Sequence, residues 1–139
     1  MTSSAAGSDN VRPLHRVRVL LVGRDPHYLK VVGFLLSRQG FAVESTRKRG
    51  QVLELVEQLR PNVVVVDASD SVGAAARLVG AIEALHPSVA AVAVAERESE
   101  APMASFAVLP KWDFARLVEE VQSLYVKRRD EKEAHLGAR

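Results

Sequence analysis

The chain has 139 residues, 47% of them hydrophobic and 26% charged, with a formal net charge of +2 and no cysteine. That length supplies one domain with its own core and is short for two. The lack of thiols excludes disulfides, thiolate catalysis and cysteine-ligated metals, and the near balance of charge gives no polybasic surface that calls for direct nucleic-acid contact.

Residues 1–15 are small and polar, with Pro13 near their end, and read as a flexible tail. They lack a charged stretch followed by an apolar run, and nothing later reaches the ~18 to 20 apolar residues of a membrane span, so the expectation is a soluble, cytoplasmic chain with no membrane partner. Residues 17–22 form a short run rich in branched side chains, read as a strand buried on both faces. Asp25 and Pro26 then open a helix, the first as N-cap and the second in a turn where its missing N–H is not needed. Tyr28, Val31, Val32, Leu35 and Leu36 recur at helical spacing, and Gly40 ends the helix. Residues 41–45 are a second strand, and Val52, Leu55, Val56 and Leu59 give a second helical stripe that Pro61 stops.

The strongest strand pattern follows, Pro61-Asn62-Val63-Val64-Val65-Val66-Asp67, and it leaves a carboxylate at its carboxyl end. Residues 68–71 carry capping chemistry and lead into a helix with Val72, Ala75, Ala76, Val79, Ile82 and Leu85 on one face. After Pro87, residues 89–95 are a fourth buried strand and residues 106–109 a fifth. The last helix presents Phe114, Leu117, Val118, Val121, Leu124 and Tyr125 and continues as a charged, solvated extension. The domain is therefore expected over residues 16–127, with the extension over 128–139.

Five apolar strands alternating with helices predict an α/β, flavodoxin-like parallel sheet in the order 2-1-3-4-5 with helices on both faces. Its ligand crevice lies where the order reverses, between the first and third strands, and Gly23, Arg24, Asp25 and Asp67 all fall there. Between the fourth and fifth strands stand only residues 96–105, against the ~10 to 12 that a crossover with its helix requires, so the fourth helix is expected to be shortened or missing. No glycine-rich phosphate loop or serine elbow is present, and the four histidines are too dispersed for a zinc site by spacing.

The runs Val19-Leu20-Leu21-Val22-Gly23-Arg24-Asp25-Pro26, Gly40-Phe41-Ala42-Val43, Arg60-Pro61-Asn62-Val63-Val64-Val65-Val66-Asp67 and Leu109-Pro110-Lys111 together resemble the CheY-like receiver domain of bacterial response regulators. Such a receiver is one of the reference cases for this strand order. The resemblance implies a phosphoacceptor at Asp67, an acidic pair after the first strand that helps hold Mg²⁺, a hydroxyl at the end of the fourth strand and a lysine after the fifth. Lys111 matches the lysine, with Trp112 in place of the usual proline. Gly23 and Arg24 stand where the acidic pair belongs, beside Asp25, and Ala95 replaces the hydroxyl; Ser69 is a further site neighbour.

Magnesium needs several hard oxygen ligands, and this pattern leaves only Asp25 and Asp67 as candidates while adding the repelling charge of Arg24, so no metal or other cofactor is expected. Arg24 has two placements open to it: a bidentate pair with Asp67, or a solvated loop position. Asp67 is read as an ion-pair anchor, to Lys111 or Arg24, ahead of an active phosphoacceptor. Trp112 is expected to pack beneath the last helix. The reading carried forward is an atypical receiver of pseudo-receiver type: a stand-alone protein-interaction module, not an enzyme, in bacterial signal transduction or regulation. Its partners are expected to be proteins of signalling or transcription control, or a second copy in a homodimer. One alternative is a phospho-accepting regulator that uses Asp67 and Mg²⁺. Another is a cobalamin-binding domain, since Asp25-Pro26-His27 partly resembles an Asp-x-His-x-x-Gly motif whose histidine ligates cobalt, although Lys30 replaces the glycine.

Overall fold

The computed structural model describes residues 16–96 and 108–137. The tail at 1–15, the fourth crossover from residue 97 onward with its expected short or missing helix, and the first half of the fifth strand pattern lie outside the described residues.

The elements follow in the order β1 (Arg18–Val22), α1 (Pro26–Arg38), β2 (Ala42–Thr46), a 3₁₀ turn (Arg49–Gln51), α2 (Val52–Leu59), β3 (Val63–Asp67), α3 (Val72–Leu85), β4 (Ala90–Ala95), β5 (Val108–Pro110) and α4 (Phe114–Gly137). All strand pairs are parallel and the sheet order is β2-β1-β3-β4-β5. The order reverses between β1 and β3, as the sequence predicts.

Side-chain alternation along the central strands divides the core into two layers. Val19, Leu21, Val63, Val65, Val92 and Val94 face α1 and α4, where Tyr28, Leu29, Leu36, Leu117 and Val121 cover them. Leu20, Val22, Val64, Val66, Ala91 and Ala93 face α2 and α3, met by Val52, Val56, Ala75, Val79 and Ile82. Helices thus cover both faces.

Chain reversals follow the expected chemistry. Asp25 caps α1 with Pro26 at its start, and Gly40, just past its end, sits at φ 95°, a conformation that favours glycine. Ser71 caps α3 by accepting the Ala74 N–H at 3.1 Å. The stop of α2 is less ordinary: Arg60 takes the left-handed conformation at φ 50° immediately before Pro61. There the pre-proline residue is kept out of the helical region, and the chain turns without a glycine.

Two packing expectations are corrected. Leu85 is 61% exposed, because it lies in the last turn of α3, beyond the sheet surface that Ile82 still reaches. Trp112 is 52% exposed and does not pack beneath the last helix; its ring stands edge-on to Tyr28 at 5.1 Å, over the start of α1. The tight turn between β5 and α4 carries it to that side. Helix α4 spans 24 residues, about 36 Å at the usual rise, and Arg128 anchors it by donating to the Pro87 carbonyl at 3.1 Å.

Leu36 is fully buried against the sheet, whereas Phe34, two residues earlier, is 60% exposed. Leu36→Ala is expected to cost about 3 kcal/mol in denaturant unfolding. Phe34→Ala should stay within about 0.5 kcal/mol.

Candidate functional site

The crevice at the carboxyl ends of β1 and β3 is organised around one ammonium group. Lys111 follows β5, its backbone N–H donating to the Ala95 carbonyl at 2.9 Å, and this bond fixes its side chain at the sheet edge beside Asp67. Lys111 Nζ lies 2.9 Å from Asp67 Oδ2 and 3.6 Å from Asp25 Oδ2. The Lys111 and Asp67 side chains are only 5% and 6% exposed, so this is a buried ion pair and not a surface contact.

Each remaining oxygen is also engaged. Asp67 Oδ1 accepts the Ser69 N–H at 3.0 Å, which turns the chain out of β3. Asp25 Oδ1 accepts the N–H groups of His27 at 3.0 Å and Tyr28 at 3.3 Å in the N-cap of α1. The bond from Tyr28 is the main cause, opposed in part by desolvation and reinforced by His27 and Lys111, of an Asp25 carboxyl held below the ordinary range. For Lys111, burial works against the charge. The bond to Asp67, then the fields of Asp67, Asp25 and Glu96, outweigh it and raise the ammonium above the usual lysine value.

An aromatic wall closes the other side. Lys111 Nζ lies 5.0 Å from the centre of the Tyr28 ring and 5.7 Å from that of Trp112, within cation–π range of both. Tyr28 is itself buried and its hydroxyl has no hydrogen-bond partner among the described residues. Burial, and secondarily the Asp67 charge, push that hydroxyl well above the ordinary tyrosine range.

The structure brings Asp25, Asp67 and Lys111 together and separates other predicted site residues from them. Arg24 does not pair with Asp67: it is exposed and its Nη1 lies 3.7 Å from Asp70 Oδ2. Asp67 is already satisfied by Lys111 from the core side, so the guanidinium has no reason to desolvate. The Ala95 methyl belongs to the α2 and α3 layer, and its contribution to the site is its carbonyl; the charge that reaches Lys111 from this strand end is that of Glu96. Ser69 is exposed and contributes its backbone N–H. Gly23 is more than a missing acid. A Cβ placed there would stand 3.0 Å from Asp67 Cβ, so any larger residue at this close approach of β1 to β3 would require Asp67 to shift by a few tenths of an ångström.

Arg49 and Asp70 escaped the sequence reading as site residues. Arg49 Nη2 and Nη1 bind Asp70 Oδ1 and Oδ2 at 2.7 and 3.3 Å, and Nη2 also reaches the Asp67 carbonyl at 3.4 Å. This bond, ahead of the opposing desolvation, keeps the Asp70 carboxyl below its ordinary range. The run Arg47-Lys48-Arg49 after the second strand was the available signal, since that strand must end beside the first.

A resident Mg²⁺ does not fit this donor set. The position between the two carboxylates belongs to Lys111, Asp25 is committed to its helix, and Gly23 supplies no oxygen beyond its backbone. Among the described residues no group of three acidic or histidine side chains is arranged to hold a metal. The cobalamin reading weakens for a related reason: the carboxylate that would orient His27 binds backbone N–H groups and Lys111 instead.

Lys111→Met leaves a buried carboxylate without its cation and is expected to cost about 3 kcal/mol, while Lys111→Met with Asp67→Asn costs less than the sum of the two single changes. A double-mutant cycle in urea measures this coupling. Tyr28→Phe removes a buried hydroxyl without a partner, so stability at pH 7 should hold or rise by up to about 1 kcal/mol. The raised values of Tyr28 and Lys111 both predict stability that is full below about pH 10 and lost as pH rises through their folded values. Unfolding midpoints between pH 8 and pH 12 should fall less steeply in Tyr28→Phe than in the unaltered chain.

No protein-family model matches the chain, and no curated protein matches it in sequence. Solved structures do match. NtrX from Brucella abortus, crystallised with ADP, is 16% identical with a TM-score of 0.72; the match covers 86% of this chain and 28% of that one. A CheY-like response regulator receiver domain protein from Methanospirillum hungatei is 20% identical with a TM-score of 0.71, over 84% of this chain and 98% of that one. The response regulator TrrA from Thermotoga maritima, in complex with Mg²⁺ and BeF, is 16% identical with a TM-score of 0.68, over 77% and 97% of the two chains. The chain has the flavodoxin-like fold of response-regulator receiver domains.

Proposed function

We propose that the chain is an atypical receiver, a protein-interaction module in bacterial signal transduction or regulation whose conformation is set without phosphorylation. The observation that carries this reading is the Lys111 ammonium bound between Asp67 and Asp25, with both carboxylates otherwise engaged. A phosphoryl group arriving at Asp67 would have to reach an oxygen that is buried and paired, without a divalent cation to offset its charge. The likeness to the response regulator receiver domain protein of Methanospirillum hungatei and to the response regulator TrrA supports a place in signalling. A partner protein, or a second copy of the chain, would read the fixed surface, and the module acts by binding and not by catalysis.

Phosphorylation of Asp67 is the competing reading, favoured by one feature: Lys111 stands 2.9 Å from the carboxylate, where it would also meet a phosphoryl oxygen. Incubation with acetyl phosphate and Mg²⁺, followed by intact-mass analysis, separates the two. The expected result is no adduct on the unaltered chain. A stoichiometric, base-labile mass increase that Asp67→Asn abolishes would overturn the proposal.

A further inference from the structure

The loops around the crevice carry cations that the Asp25, Asp67 and Lys111 group leaves unused. Val22 at the end of β1 pairs with Thr46 at the end of β2, and the Gly23 N–H donates to the Thr46 carbonyl at 3.2 Å. Arg47, Lys48 and Arg49 therefore leave the sheet beside the loop that bears Arg24. Arg49 and Arg24 both reach the Asp70 carboxylate, at 2.7 and 3.7 Å, so their guanidinium groups share one small anion. From the second turn of α3, Arg77 folds back over the start of that helix, its Nη1 3.6 Å from where a Cβ on Gly73 would stand. Arg47, Lys48 and Arg77 are exposed and have no acidic partner among the described residues.

This edge of an open parallel sheet is where the fold binds ligands, and its rim here is cationic. We propose that Arg24, Arg47, Lys48, Arg49 and Arg77 form a binding site for a polyphosphate-bearing small molecule, of the nucleoside diphosphate or triphosphate class. A single phosphate would use one guanidinium fork. Cations on two adjacent loops and on the start of α3 match a short chain of phosphates, whose oxygens suit arginine's paired donors. The Asp70 carboxylate already held by Arg49 and Arg24 shows that these two groups accept an oxyanion between them. It also makes Asp70 an internal competitor for the ligand. None of the five cations touches the Asp67 carboxylate in the structure, so the proposal does not rest on the reading of the domain as phosphorylation-independent.

Titration calorimetry of the full chain with inorganic tripolyphosphate, at low ionic strength and without Mg²⁺, should show saturable binding that weakens with added salt. Orthophosphate should bind about tenfold more weakly or worse. The double variant Arg47→Ser, Lys48→Ser should lower tripolyphosphate affinity about tenfold, as two exposed charge pairs near the top of their ordinary range would. Its melting midpoint should not change, because both side chains lie outside the core. Asp70→Asn should tighten binding by releasing Arg24 and Arg49, an increase that a merely structural role for Asp70 would not produce. Absence of saturable binding, undiminished affinity in the double variant, or unchanged or weaker binding in Asp70→Asn would each overturn the proposal. So would tight binding of a single-stranded oligonucleotide or a glutamate-rich peptide that tripolyphosphate fails to displace, because the rim would then serve a macromolecule.

Discussion

The bond from the Lys111 ammonium to Asp67 is the contact on which the crevice depends. Both side chains are almost fully buried, where an unpaired charge would be costly, so each requires the other. The pair also fixes positions beyond itself. Lys111 brings the end of β5 against the end of β3, reaches across to the cap of α1 through Asp25, and rests over the rings of Tyr28 and Trp112. Two strand ends and one helix start are thereby tied by one cation.

A second tie lies on the outer side of the same edge. Arg49 binds Asp70 through two nitrogens and reaches the Asp67 carbonyl, while Arg24 approaches Asp70 from the β1 loop. These groups are more exposed, so each contact contributes less than the buried pair and is weakened by salt. Their arrangement still matters, because it joins the loops after β1, β2 and β3 through one carboxylate. The inner tie is a cation between two acids; the outer one is an acid between two cations. Side-chain charges thereby tie the loops of the crevice together beside the backbone bonds from Gly23 to Thr46 and from Lys111 to Ala95.

The fold was legible because its signals are periodic and local. Val63 to Val66 could only be a strand buried on both sides, Asp25-Pro26 could only open a helix, and the alternation of such units leads to a parallel sheet with its order reversed between β1 and β3. The residues at the crevice were legible too, since Gly23, Asp25, Asp67 and Lys111 all follow strands or open a helix there. Their partners were not. Periodicity does not say which of two nearby cations reaches Asp67, and burial decided it: Lys111 approaches along the covered face, while Arg24 stays in solvent. Arg49 was missed because it sits in a short turn with no pattern of its own, and only the register between β1 and β2 brings it to Asp70. Trp112 was placed wrongly because the turn after β5, not the hydrophobicity of its ring, sets its direction.

The charge arrangement bears directly on how such a domain would signal. A switch moves only as far as its ligand distinguishes two states, and about 5.5 kcal/mol of difference is needed to invert a population from one side to the other. In a receiver that difference comes from a phosphoryl group and a metal ion introduced into a pocket with spare acidic charge. Here Gly23 contributes no charge, and Asp25 and Asp67 are both bound by Lys111, so little electrostatic energy is left to be released by adding a cation. An added dianion at Asp67 would gain its contact with Lys111 less what the ammonium gives up on leaving its present bonds. Under the proposed function the driving force for switching is small on both counts, and the same interactions that remove it hold one conformation in place. Under the proposed function the information in this domain lies in its surface, presented continuously, and regulation falls to whatever controls the partner's access to it.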